Sequence, residues 1–201
     1  GAIYPLPEEL IACEPLELPV WWPRAYALDV GWNRTAALWG AWDRQSDTVY
    51  IWSEYYVGQA PPAVHASAIR ARGDWMVGAI DPSSAGANLK DGSRLIDEYR
   101  GLGLNLAPAD NAVEAGIFAC YQRMARGGLK VFRTCRNWFA EFRIYRRDEK
   151  GKIVKENDHL MDAMRYLIMT GMKFAGTKPD DDEAEAADAM AKYTRTSSTG
   201  Y

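Results

Sequence analysis

The chain has 201 residues, 48% of them hydrophobic and 12% aromatic, enough for one sizeable α/β domain with extensions and short for two. Its formal charge is −3, and the stretch from Ala175 onward holds six acids (Asp180, Asp181, Asp182, Glu183, Glu185, Asp188) against three bases (Lys178, Lys192, Arg195). The remainder is therefore near neutral, and charge neither demands nor excludes a nucleic-acid partner. Cys13, Cys120 and Cys135 form no Cys-x-x-Cys pair, which argues for reduced thiols and against a zinc cluster. The start GAIYPLPEEL does not read as a signal peptide, and no apolar run approaches the roughly 20 residues of a membrane span, so a soluble intracellular domain is expected.

Residues 1–24 are punctuated by Pro5, Pro7, Pro15, Pro19 and Pro23 and read as a lead-in with a short helix at PEELIA, docked by Trp21 and Trp22. Three β-type runs follow, at 26–30, at 36–42 and, after the polar turn DRQSD, at Thr48–Val57. Their short turns predict an antiparallel meander. The pattern then alternates. PPAVHASAIRAR predicts a helix opened by proline, WMVGAID a buried strand, 89–100 a helix, GLNLAP a strand, 111–126 a helix and LKVF a strand. CRNWFAEFRIYRR spaces Trp138, Phe139, Phe142 and Tyr145 helically, DEKGK makes a turn, and a last helix covers 157–173. The stretch 175–201 is acidic, Ala-rich, then rich in Ser, Thr and Gly, which predicts a disordered tail. A meander followed by alternating helices and strands makes an α/β protein with a mixed sheet.

Two carboxylates fall where a sheet is buried. Asp29 lies between Leu28 and Val30, and Asp81 closes WMVGAID. Such a position is costly unless the carboxylate is paired or binds a cation. Ordinary roles stay open: Asp29 can bond its following turn, and Asp81 can make an Asp-Pro turn or cap. NDHLMDAMRY places Asp158, His159 and Asp162 at a helix start, with Asn157 as the expected N-cap. Leu160, Ala163, Met164, Leu167 and Ile168 share one face of that helix. Asp158 and Asp162 lie nearly opposite, toward solvent by periodicity alone. Asp158 would also suit the helix dipole, and His65, in an Ala-rich helix, reads as structural. Hard cations such as Mg²⁺ and Mn²⁺ take carboxylate oxygens. Two of them about 4 Å apart can activate water and stabilise the leaving oxygen of a phosphodiester. Asp29, Asp81 and Asp162 come from separate elements and are the acids that could serve them.

In this order, ALDVGWNRTAALWGAWD, GAIDPSSAG and KENDHLMDAMRY resemble the C-terminal nuclease domain of large terminase subunits of tailed bacteriophages, over roughly residues 25–172. The resemblance implies an RNase H-like domain at 25–174, with a mixed five-stranded core sheet flanked by helices. It implies that 1–24 leads in from a missing ATPase motor domain. The implied activity is metal-dependent endonucleolytic cutting of concatemeric double-stranded viral DNA during genome packaging, with two Mg²⁺ or Mn²⁺. Asp29 would bridge both metals, Asp81 would be the acid ending the central strand, and Asp162 the acid that the last helix turns to the catalytic edge. Asp158 and His159 would stand beside that third acid. The implied partners are double-stranded DNA and, in a full protein, the motor domain, the small terminase subunit and the portal, in the host bacterial cytoplasm and away from membranes.

One departure from the family's full-length pattern is clear. No Gly-x-x-x-x-Gly-Lys-Ser/Thr stretch exists, since KGKIVKEN lacks the spacing and the hydroxyl residue, so no ATP hydrolysis is expected from this chain. Arg143, Arg146, Arg147, Lys150, Lys152 and Lys155 cluster around the hairpin before the last helix as candidate DNA contacts, Lys155 foremost. Asp148, Glu149 and Glu156 interleave them, as on any solvated hairpin. Two other readings stay open: another RNase H-like nuclease (a Holliday-junction resolvase or RNase H), and a non-catalytic docking domain whose acids cap turns.

Overall fold

The computed structural model describes residues 1–88, 90–91 and 93–198. In chain order the elements are α1 (Glu8–Ile11), β1 (Ala12–Cys13), β2 (Arg24–Asp29), β3 (Thr35–Asp43), β4 (Thr48–Val57), α2 (Pro62–Arg70) and β5 (Val77–Ile80). After a 3₁₀ turn (Pro82–Ala85) come α3 (Leu95–Gly101), β6 (Asn105–Pro108), α4 (Val113–Ala125), β7 (Leu129–Phe132), α5 (Arg136–Ile144) and α6 (His159–Met169). A second 3₁₀ turn (Gly171–Phe174) leads to α7 (Asp181–Ser198).

The strands make one seven-stranded mixed sheet in the order β1-β7-β4-β3-β2-β5-β6. The meander β2-β3-β4 is antiparallel, and β5, β6 and β7 join it in parallel, as the alternating sequence predicts. The meander with β5 and β6 supplies the five expected strands; β7 and β1 extend the sheet on the β4 side. The lead-in is thus built into the sheet, because β1 pairs with β7 and Ala2 bridges Arg146. Of its two tryptophans only Trp22 docks, stacked on Tyr50 at 5.2 Å, while Trp21 is exposed.

Alternation along the strands sorts the core into two faces. Tyr26, Leu28, Ala37, Trp39 and Ile80 pack under α2 and α3 residues such as Ile69, Ile96 and Tyr99. Ala25, Ala27, Ala36, Leu38 and Ala79 face Leu160, Ala163, Met164 and Leu167 of α6. The small residues of that face let the helix lie close. A Cβ on Gly40 would stand 3.0 Å from a Leu167 methyl. Each large aliphatic side chain buried there contributes about 2 kcal/mol.

Three boundaries differ from the sequence reading. The helix expected at 89–100 is described only as α3. Leu89 and Gly92 lie outside the described residues, and Lys90 and Ser93 donate their amides to Asn88 and Asp91 side chains, local bonds that compete with helix. The last helix begins at His159 because Asn157 has a left-handed φ of 51°, which puts Asp158 at the cap position. The predicted disordered tail contains α7. Its start is a capping box: Asp180 accepts from the Glu183 amide at 2.7 Å and Glu183 from the Asp180 amide at 3.3 Å.

Candidate active site

β2 and β5 run side by side in parallel, with Leu28 opposite Ile80, so the residues that follow them, Asp29 and Asp81, come out at one sheet edge. The Asp81 amide donates to the Leu28 carbonyl at 2.8 Å, fixing the two strand ends together. Asp29 shares its parity with Ala25 and Ala27 and therefore points to the face that α6 covers. It is 7% exposed, and its Oδ2 is 3.1 Å from His159 Nδ1. Burial pushes the Asp29 carboxyl up to about 7, against the His159 bond; the negative charges of Asp162 and Asp81 add to the rise. Asp81 and Asp162 are thus both close enough for their charges to act on Asp29. His159 is raised in turn, first by its bond to Asp29.

Asp81 also plays the ordinary role open to it: its Oδ1 accepts from the Ser83 amide at 2.9 Å, capping the 3₁₀ turn. Asp162 does not face open solvent, contrary to what periodicity alone predicts. α6 packs on β2 and β3 and also against α4 and α5, so the face opposite its apolar stripe is largely covered. Asp162 accepts from Arg165 Nη2 at 2.8 Å, and burial raises its pKa despite that guanidinium. Asp158 is buried, 7% exposed, at the start of the same helix. Among the described residues no three His, Cys, Asp or Glu side chains converge tightly enough to hold one metal ion as placed.

A residue that the sequence reading passed over holds this helix. Glu141, on α5 and 2% exposed, accepts from the Leu160 amide at 2.6 Å and the Met161 amide at 3.4 Å through Oε1, and from the Tyr56 hydroxyl at 2.8 Å through Oε2. Asp158 makes no side-chain cap bond, so Glu141 supplies the carboxylate that satisfies the first amides of α6. Its only sequence signal is a glutamate set among Trp138, Phe139 and Phe142, inside an apolar stripe. His65 is structural in this sense as well: buried, with Nδ1 2.7 Å from the Tyr55 hydroxyl and Nε2 3.1 Å from the Ala60 carbonyl.

The basic candidates separate. The hairpin forms at 146–154, with the Val154 amide on the Arg146 carbonyl and Gly151 at φ 79° in its turn. Arg143, on α5, is engaged by Glu8 at 2.7 Å and Arg147 by Glu114 at 2.7 Å. Arg146, Lys150, Lys152 and Lys155 are exposed, and Lys155 is near enough for its charge to oppose the rise at Asp162.

A family model described as the terminase RNase H-like domain matches residues 27–170. The large terminase subunit of Salmonella phage P22 is 38% identical over 182 residues, 84% of this chain and 36% of that protein. The chain therefore spans little more than a third of that relative. The solved nuclease domain of the P22 large terminase superimposes with a TM-score of 0.80 at 33% identity, over 88% of this chain and 95% of that one. The nuclease domain of the phage SPP1 large terminase, solved with bound Mn, gives a TM-score of 0.56 at 18% identity over 77% of this chain and 92% of that one, a likeness of fold.

Proposed function

This chain belongs to the terminase RNase H-like domain family, and on that premise we propose that it is the endonuclease of a phage genome-packaging machine, cutting concatemeric double-stranded DNA in the host cytoplasm. What supports the reading is that Asp29 and Asp81 stand at the ends of adjacent parallel strands, and that the charges of Asp81 and of Asp162 on α6 both act on buried Asp29. The donor set fits a divalent cation in its chemistry: hard carboxylate oxygens, and in Asp29 a buried acid that gains from a nearby positive charge. Asp29, Asp81 and Asp162 would hold Mg²⁺ or Mn²⁺, two ions in the family's pattern, with Asp158 and His159 beside them. When bound, such ions supply a Lewis acid that activates water against a phosphodiester.

The protein's own groups do the rest. His159 orients the Asp29 carboxylate, Arg165 offsets the charge of Asp162, and Glu141 fixes the start of α6, so that His159 and Asp162 are presented by a rigid element. Among the described residues, Lys155, Lys152, Lys150 and Arg146 are the exposed cations in and beside the hairpin that are free to meet DNA; Arg143 and Arg147 would have to leave their carboxylates to do so. An ATPase motor, a small terminase subunit and a portal would be partners of a longer protein.

The test is cleavage of supercoiled plasmid in Mn²⁺, Mg²⁺ and EDTA beside Asp162→Asn. Nicking and linearisation that need metal and fall to background in the variant are expected. Preference for four-way junctions or RNA–DNA hybrids over duplex would replace the reading with the resolvase or RNase H one. A Mn²⁺ thermal shift equal in wild type and in Asp29→Asn, Asp81→Asn and Asp162→Asn would leave only a docking role.

A further inference from the structure

The nuclease reading requires a group that seats the DNA backbone beside the acids, and two of the hairpin-region cations are already spoken for by carboxylates. Arg34 differs from them. It lies five residues after Asp29 in the β2–β3 loop, half-buried, with its guanidinium carbon 4.2 Å from the centre of the Tyr56 ring. Among the described residues it has neither a hydrogen-bond partner nor an ion-pair partner.

Its place is built from several directions. The Gln59 amide donates to the Trp32 carbonyl at 2.7 Å, and Thr35 Oγ1 to the Gly31 carbonyl at 3.0 Å, tying the loop to the end of β4 and to itself. Gly58 is needed there, because a Cβ would collide with the Asn33 carbonyl. Tyr56 is held at its far end by the bond to buried Glu141. The Tyr56 ring also stands 6.3 Å, centre to centre, from His159, the partner of Asp29. A guanidinium without a counter-charge therefore sits one aromatic ring away from the His159–Asp29 pair.

We propose that Arg34, stacked on its Tyr56 platform, is the residue that binds a DNA backbone phosphate beside the three acids. The proposal rests on the nuclease reading and gives its site a substrate contact. A guanidinium presents a planar fork of donors that matches phosphate oxygens in pairs. Stacking fixes the plane of that fork before DNA arrives, so less freedom is lost on binding. Tyr56 bonded to Glu141 also makes one packed column from the phosphate contact to the start of α6.

The experiment is anisotropy binding of a fluorescent 30-bp duplex in EDTA across a salt series, with plasmid cleavage and a Mn²⁺ thermal shift measured on the same proteins. Arg34→Ala should weaken duplex binding about tenfold and reduce the slope of log K against log salt by about one. It should raise KM more than it lowers kcat and keep the Mn²⁺ shift. Arg34→Lys should restore the slope but only part of the affinity. Tyr56→Phe, which keeps the ring but loses the bond to Glu141, should bind more tightly than Tyr56→Leu, which should fall toward Arg34→Ala. A folded Arg34→Ala with wild-type affinity and slope overturns the assignment, as does loss of its Mn²⁺ shift. If wild type cuts DNA and Arg34→Ala is unaffected, this contact alone fails. If wild type binds duplex through Arg34 but never cuts, the nuclease reading fails instead.

Discussion

The sheet edge and the 146–154 hairpin are both dense in charge, and they treat it in opposite ways. At the edge, Asp29 and Asp158 are each 7% exposed, and the charges of Asp81 and Asp162 push Asp29 further toward its neutral form. On and around the hairpin, acids and bases are exposed or partly so, and Arg147 meets a carboxylate in two-point geometry. Glu114, bonded to Arg147, is held below its ordinary value, whereas the edge acids Asp29 and Asp162 are held above theirs. Water and counter-charges make the hairpin electrostatically cheap. The edge stores unfavourable energy that a cation would release, and this is the difference expected between a scaffold and a reactive centre.

The largest expected effect is at Asp29. Asp29→Asn should lower metal-dependent cleavage about 10³-fold or more, on the order of 4 kcal/mol in the barrier. It should also stabilise the metal-free protein at high pH. The folded carboxyl titrates near 7, above the roughly 3.9 of an unfolded aspartate. Between those values the native state keeps a proton that the unfolded chain has released. The favourable contribution is therefore complete below the unfolded value and is lost as pH rises through about 7. The raised His159 changes in the same direction, its contribution present at low pH and lost above its own folded value. Thermal melts should accordingly show wild type less stable at pH 8 than at pH 5.5. Asp29→Asn should flatten that fall by on the order of 2 kcal/mol, and Mn²⁺ should do the same for wild type. A wild-type melt that does not fall between these pH values would erase the contrast between edge and hairpin.

Glu141 comes next. Glu141→Ala strips the partner from two buried amides and the Tyr56 hydroxyl, at a cost of about 3 kcal/mol. Glu141→Gln keeps an acceptor for Leu160 and should cost about 1 kcal/mol. Hydrogen exchange separates this from a general loss of packing: the Leu160 and Met161 amides should exchange faster in Glu141→Ala, with the β3 amides changed only through global stability. Equal acceleration throughout the sheet would make Glu141 an ordinary core contact.

These residues also mark how far the sequence is legible. The meander, the parallel strands and the two strand-end acids follow from period-two patterning and turn residues, and LKVF coincides with β7. The burial of Asp162 does not follow from α6 alone, because periodicity assigns one apolar face while the fold covers the other with α4 and α5. Glu141 caps a helix that begins 18 residues later, and Arg34, just before β3, meets Tyr56 of the neighbouring β4. Such partners are set by sheet order and helix packing, which local pattern does not encode. Two signals were local and readable: the Asp180–Glu183 capping box within an acidic tail, and the left-handed Asn157 that delays α6.

The smallest effect tests the other half of the comparison. The Arg147–Glu114 pair has good geometry, with contacts of 3.0 and 2.7 Å, but the glutamate side chain is 69% exposed. Solvent screens such a pair and holding two long side chains costs entropy, so a double-mutant cycle with Arg147→Ala and Glu114→Ala should give a coupling close to zero. The coupling should shrink further at high salt. If Arg147 belongs to the DNA surface, Glu114→Ala should strengthen duplex binding, because it frees a guanidinium that the carboxylate now occupies. If it is purely structural, Glu114→Ala should leave binding unchanged while the cycle keeps its small value. A large coupling that persists at high salt would place this hairpin, despite its exposure, in the same energetic class as the buried edge.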